Sequence, residues 1–251
     1  MIDVIKATGT ANMGRRTTAP KWLVIHYTAG TQSRQGAARN NAAMFARPAT
    51  EASADYIVDD VECVQYNPNP SVYYCWAVGD TDYSRTNALA AKYKGKATNG
   101  NCISIEMCSS KRDGGASYKA TDTDWYFTDA VLTNGAALAR QLMQEYGIDI
   151  DHVIMHNMVS GKLCPAMWSQ SRAAVAGWYD FLDRLEDNMT PEQVYNAYNE
   201  AAAKLPCPAW AEAELKEAME LGITDGTRPM QLIPRYQAAI MCKRAVEAAK
   251  K

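Results

Sequence analysis

Histidine is scarce in this chain, with three in 251 residues: His26, His152 and His156. A site built on imidazoles therefore has few ways to be assembled. Long apolar runs are missing too. No stretch approaches the ~20 residues that cross a bilayer, so membrane insertion is not expected. Neither sign of charge is in excess, since 26 Lys+Arg face 28 Asp+Glu for a net −2. That balance excludes the general basic footprint of a nucleic-acid-binding protein. The segment Met1 to Lys6 lacks the basic and then apolar regions of a secretory signal, so synthesis in the cytoplasm without a leader is expected. The seven cysteines, Cys63, Cys75, Cys102, Cys108, Cys164, Cys207 and Cys242, include no Cys-x-x-Cys pair. They are too sparse for a disulfide scaffold, and most of them are expected to be small, buried, reduced thiols.

What remains is ordinary globular material, 47% hydrophobic and 22% charged. At roughly 150 residues per domain the length suggests one large domain, or one domain with a small appendage. Trp22 to Tyr27 is a continuous apolar run, as in a strand buried on both faces. Ser53 to Val58 reads as a second strand, with Val61 to Tyr66 as its hairpin partner. Cys102 to Cys108 alternates, with Ile103, Ile105 and Met107 on one face and Ser104 and Glu106 on the other. Phe127 to Tyr146 carries a helical stripe and stops at Gly147. His152 to His156 reads as a short strand running into a polar loop, and Ser169 to Leu185 as a further helix. This order predicts an α/β domain over residues 1–187, a mixed central sheet flanked by helices. Residues 188–251 read as a small helical domain. It comprises a helix capped at Thr190-Pro191 and ending near Leu205, a second around Trp210 to Met219 that stops at Gly222, and a last one carrying Tyr236, Ile240 and Val246.

Chemistry concentrates between His156 and Pro165, where a His, a Lys and a Cys share one loop at a strand end, while His26 ends another predicted strand. His26, His156 and Cys164 are ligand types for zinc, and three protein ligands leave the fourth tetrahedral position open, the arrangement of catalytic sites. Water on such an ion ionises near pH ~7 rather than ~15.7. Glu106 is placed to accept a proton and Lys162 to offset a developing oxyanion. Each residue also has an ordinary reading, as a satisfied core histidine, an inert thiol, a solvated turn lysine or a strand-end carboxylate. Spacing alone leaves both open.

Five blocks in order resemble the type 2 N-acetylmuramoyl-L-alanine amidases, the phage-lysozyme-like and peptidoglycan-recognition-protein-like family. They are Trp22 to Thr28, Ser53 to Asp59, Trp76 to Gly79, Asn101 to Glu106, and His156 to Pro165. The resemblance covers about residues 15–185. It implies a mixed sheet flanked by helices, one zinc ion, and hydrolysis of the bond joining N-acetylmuramic acid to L-alanine in bacterial peptidoglycan. His26, His156 and Cys164 match the metal ligands, Lys162 the catalytic lysine, Glu106 the strand glutamate used as base, and Tyr56 a tyrosine that assists the transition state. Trp76 and Tyr74 are groove candidates. The chain departs from the family at Ala77, where a His is usual, at Asn157, where Asp is common, and at Leu163 and Ala166. His152 lies two pleat periods from His156 and is read as structural.

The tail from Trp210 to Val246, with Gly222-Ile223-Thr224-Asp225-Gly226-Thr227, is similar to half of an S-layer-homology repeat. That implies cell-wall anchoring or homo-oligomer formation through the C-terminal helices, against the plainer role of a stabilising cap. Together these features describe a zinc-dependent, bacteriolytic phage or prophage endolysin. The rivals are a bacterial autolysin and a non-catalytic peptidoglycan-binding protein.

Overall fold

The apolar run that opens the sequence motifs forms strand β3 (Trp22–Tyr27), buried from Leu23 to Tyr27. In the computed structural model, which describes residues 4–6, 9–79, 87–186, 191–230 and 235–250, this strand belongs to a six-stranded sheet. The other members are β1 (Val4–Lys6), β4 (Tyr56–Val58), β5 (Cys63–Gln65), β7 (Cys102–Met107) and β10 (Val153–Met155). The spatial order is β1-β5-β4-β7-β3-β10. Strands β4, β7, β3 and β10 run parallel, while β5 turns back on β4 as the expected hairpin partner. Two small antiparallel pairs lie outside this sheet: β2 (Met13–Arg15) with β6 (Tyr73–Cys75), and β8 (Ser110–Lys111) with β9 (Trp125–Tyr126).

Helices cover both faces. On one, α1 (Ala37–Phe45) sets Ala38, Ala42 and Phe45 against Ile57, Val64 and Tyr66. On the other, α2 (Asp129–Tyr146) packs Val131, Leu138 and Leu142 into the larger core with Ile103, Ile105 and Met107. Each fully buried Leu or Ile of this kind contributes roughly 1.5–3 kcal/mol. Thr128 caps α2 by accepting from the Val131 N–H, and Gly147, at φ 64°, ends it in the left-handed region. Gly135 is needed for close approach, because a Cβ there would sit 3.0 Å from the Met107 side chain.

The expected helix over 169–185 forms only from Ala176, as α5 (Ala176–Leu185), and a short α4 (Ala166–Ser169) precedes it. Turns separate them, and the Gln170 amide instead donates to the carbonyls of Ala120 and Asp122. His156 does not enter an extended loop but starts a short helix, α3 (His156–Ser160). All seven cysteines are free thiols.

The chain divides into two compact units, Met1–Glu186 and Asp187–Lys251. The second contains α6 (Pro191–Ala202), α7 (Glu212–Glu220) and α8 (Arg235–Ala248). The Thr190 cap and Ile233-Pro234 lie outside the described residues. Among the described residues of this unit, only Asn199 and Ala202 are buried. No helix of the described residues is long and apolar enough to cross a membrane.

Candidate metal centre

Three adjacent parallel strands deliver their carboxyl ends to one place, the usual location of ligand sites in open α/β sheets. Register does the alignment. His26 in β3 pairs with Glu106 in β7, and Ile25 pairs with Met155, the last residue of β10. The next residue, His156, therefore comes level with His26, and their ring centroids are 4.7 Å apart. The loop after α3 returns Cys164, whose Sγ lies 3.8 Å from His26 Nδ1. The ligand atoms of His26, His156 and Cys164 all fall within 4.8 Å of one another, and all three residues are buried. Tetrahedral zinc bonds of ~2.0–2.3 Å would set such atoms roughly 3.4–3.7 Å apart, so small side-chain adjustments suffice.

The polar atoms here are costly as they stand. His26 Nε2, His156 Nδ1 and Glu106 Oε2 are buried without a hydrogen-bond partner. An orphaned buried polar atom costs about 1–3 kcal/mol and calls for an explanation. Burial, with the Lys162 charge nearby, lowers His156 to about 3. Burial, His156 and Lys162 likewise hold His26 well below the usual histidine range. Both rings are therefore neutral, the form that ligates metal. Burial and then the Glu106 charge push the Cys164 thiol up to about 12, against the opposing influence of Lys162 and a hydrogen bond from the Tyr27 main chain. A cation among these ligands reverses that penalty by stabilising the thiolate. The His, His, Cys donor set fits zinc and leaves one position open.

Glu106 and Lys162 join the same group. Burial raises the Glu106 carboxyl to about 8, and the Lys162 ammonium opposes the rise. Lys162 itself is exposed. Its loop is shaped by a residue whose part the sequence did not reveal. Asn157 is fully buried, and its Nδ2 donates to the carbonyls of Gly161 and Lys162 at 3.2 and 2.8 Å. Its N–H donates to the Cys164 carbonyl, and its Oδ1 accepts from Asn87. An ionised Asp, an acceptor only, could not make the two donations, which gives the departure at this position a physical reason. The visible signal was an amide directly after a predicted ligand.

Tyr56 is not brought to this group. The register pairs it with Ile105, while Ile57 pairs with Glu106, so Tyr56 belongs to the opposite face of the sheet. Its hydroxyl is hydrogen-bonded to Tyr146 of α2, and burial raises its pKa. Tyr74 and Trp76 lie on and just after β6. A Cβ at Gly14 would meet the Tyr74 ring at 2.3 Å, so that ring packs across β2, whereas Trp76 is 43% exposed. His152 packs at a tilt against Trp22, with ring centroids 4.5 Å apart, and bonds Asp149 instead of joining the ligands.

Residues 16–167, which contain all of these site residues, match the family described as Amidase_2, N-acetylmuramoyl-L-alanine amidase. The N-acetylmuramoyl-L-alanine amidase CwlL of Bacillus licheniformis is 24% identical over 208 residues, or 80% of this chain and 52% of that protein. The chain thus spans about half the length of this curated relative. Among solved structures, PlyL is 24% identical with a TM-score of 0.54, covering 75% of this chain and 100% of that one. A mutant endolysin from Bacillus subtilis is 26% identical with a TM-score of 0.53, covering 74% and 99%. With the family match spanning more than half of its length, the chain belongs to the N-acetylmuramoyl-L-alanine amidases.

Proposed function

We propose that the chain hydrolyses the amide between N-acetylmuramic acid and L-alanine in bacterial peptidoglycan, with one zinc ion held by His26, His156 and Cys164. The observation that carries this reading is the convergence of two neutral imidazoles and a buried thiol beside Glu106, within the residues that match the family. Zinc, when bound, supplies Lewis acidity toward the scissile carbonyl and lowers the pKa of water. Glu106, whose buried Oε2 has no partner and whose carboxyl would ionise more readily beside a bound cation, would accept a proton from water and return it to the departing amine. Lys162 Nζ, at the exposed end of its loop, offsets the charge that develops on the carbonyl oxygen. Trp76 offers an exposed ring for stacking on a glycan or peptide, although its backbone bonds to Ser53 and Asn12 at the amino ends of the strands rather than beside the ligands.

An endolysin role is supported by the Bacillus subtilis endolysin among the similar structures. The C-terminal unit is proposed to anchor the enzyme on the wall or to pair with a second copy. Supporting this are its largely exposed helices and rings, including Trp210 at 81% and Tyr236 at 64% exposure.

Purified cell walls and defined muropeptides test the reading, with products identified by mass. Release of intact L-alanine-terminated stem peptides, abolished by a chelator and restored by Zn2+, is expected. Undiminished cleavage after chelation rules out the metal assignment, and binding without any cleavage favours a recognition protein.

A further inference from the structure

Behind the three ligands lies a second charged assembly that the proposed chemistry does not use. The side chain of Lys111 in β8 is wholly buried. Its Nζ lies 2.7 Å from Asp124, 2.9 Å from Asp122 and 3.3 Å from Asp113. Burial alone would lower the Lys111 pKa, but its hydrogen bonds to Asp124, Asp122 and Asp113 raise it overall, so the ammonium stays charged. One surface-type lysine would not need three carboxylates to hold it in place. Here the group also fixes a ring. Lys111 pairs directly opposite Trp125 in the β8–β9 ladder, and its Nζ sits 4.7 Å from the centre of the indole. The indole N–H donates to the Lys119 carbonyl at 2.9 Å, which sets the ring's rotation.

Trp125 in turn packs on the residue beside one of the ligands. It meets the Tyr27 ring edge-on, with centroids 5.5 Å apart and planes at 83°. Tyr27 directly follows the ligand His26, and its main-chain N–H donates to the Cys164 sulfur. The loop that bears the carboxylates is tied to both ligand-bearing segments. The Lys111 N–H donates to Thr31, just beyond β3, and Gln170, six residues after Cys164, holds the carbonyls of Ala120 and Asp122. We propose that Lys111 and its three carboxylates, acting through Trp125 and Tyr27, are a positioning device that aims the Cys164 sulfur at the metal. Lys111 and Trp125 are thus positioning residues, and the idea rests on the zinc reading given above. Outer partners of metal ligands, when removed, typically weaken metal affinity by ~10–100-fold.

Co2+ titration of the full chain tests this, because the sulfur-to-cobalt charge-transfer band reports the metal–sulfur geometry independently of activity. Zn2+ affinity is measured in parallel by competition with a chromophoric chelator. Trp125→Leu, which keeps the ion cluster but removes the ring, is expected to weaken Zn2+ binding by ~10-fold or more and to shift or diminish the band. Trp125→Phe, which keeps a ring against Tyr27, is expected to restore most of both. A folded Trp125→Leu chain with the parent's affinity and spectrum overturns the proposal, as does weakened affinity with an unchanged band. If Trp125→Leu does not fold, Asp124→Asn leaves Lys111 two carboxylates and gives the same test on a smaller scale: weaker Zn2+ binding with an altered band supports the device, and parent values overturn it. A parent chain that takes up neither ion removes the zinc reading itself, an outcome distinct from failure of the variants alone.

Discussion

Glu106 stands directly across the parallel β3–β7 ladder from His26, so a carboxylate and an imidazole leave the sheet on the same face and at the same level. That pairing fixes the carboxyl group beside the ligand cluster without requiring it as a ligand. Glu106→Gln keeps the volume and removes the proton acceptor. Hydrolysis of defined muropeptides is expected to fall by ~10²–10⁴-fold, with Zn2+ content and fold retained. Loss of zinc in the variant, read by metal analysis, would instead make Glu106 part of the coordination.

Tyr56 provides the opposite case. Its hydroxyl reaches Tyr146 on the α2 side of the sheet. Tyr56→Phe is expected to leave turnover and KM close to the parent's while costing ~0.5–1.5 kcal/mol of stability for the lost hydrogen bond. Steady-state kinetics alongside urea unfolding separates the two effects. A large fall in turnover with unchanged stability would return Tyr56 to the reaction.

The contrast between these two residues marks what the sequence can carry. Strands β3 and β7 were legible because a continuous apolar run and a clean alternation have one reading each, and α2 because its stripe ends in a glycine. In the structure His26 lies near the end of β3, across from Glu106, while His156 begins α3 directly after β10 instead of ending a strand. Tyr56 came from the family resemblance alone, and the register sets it on the other face of the sheet. Which residue of β4 stands beside Glu106 depends on how two strands about 45 residues apart slide into register, and a slip of one reverses every face. The break between α4 and α5 was invisible for a similar reason. The segment from Gln170 to Val175 holds no glycine or proline to mark it, and the interruption coincides with bonds from Gln170 to a loop about 50 residues earlier. Asn157 could be noticed but not interpreted, since its partners are the carbonyls of a loop whose path it helps to set.

Asn157→Ala tests that interpretation. Truncation removes the donors to the Gly161 and Lys162 carbonyls, both at the base of the loop carrying Lys162 and Cys164. A stability loss of ~1–3 kcal/mol is expected, together with weaker Zn2+ binding because Cys164 is held by the same loop. Chelator competition on the folded variant checks the second part. Unaltered zinc affinity would confine Asn157 to stability.

A pH-dependent prediction comes from Asp55, buried on the strand side of the small β2–β6 pair. Its oxygens accept from the Ser104 N–H at 2.8 Å and the Asn67 amide at 2.6 Å. Burial nevertheless raises its pKa from 3.8 to about 6, against the lowering influence of Ser104, Asn67 and the Arg16 charge. Between these two values the folded chain holds a proton that the unfolded chain has released. Asp55 therefore favours folding most below pH ~4, and that advantage is lost as pH rises through ~6, by roughly 3 kcal/mol in all. Other carboxylates titrate in the same range, so the informative quantity is the difference between the parent and Asp55→Asn, in which their contributions cancel. Urea unfolding at pH 4 and pH 7 is expected to show the parent's advantage over Asp55→Asn shrinking by about 2.4 kcal/mol at the higher pH, since at pH 4 the unfolded side chain is already more than half ionised. An advantage equal at both values would mean that Asp55 ionises in the folded chain as readily as in the unfolded one, with Arg16, Ser104 and Asn67 fully offsetting its burial.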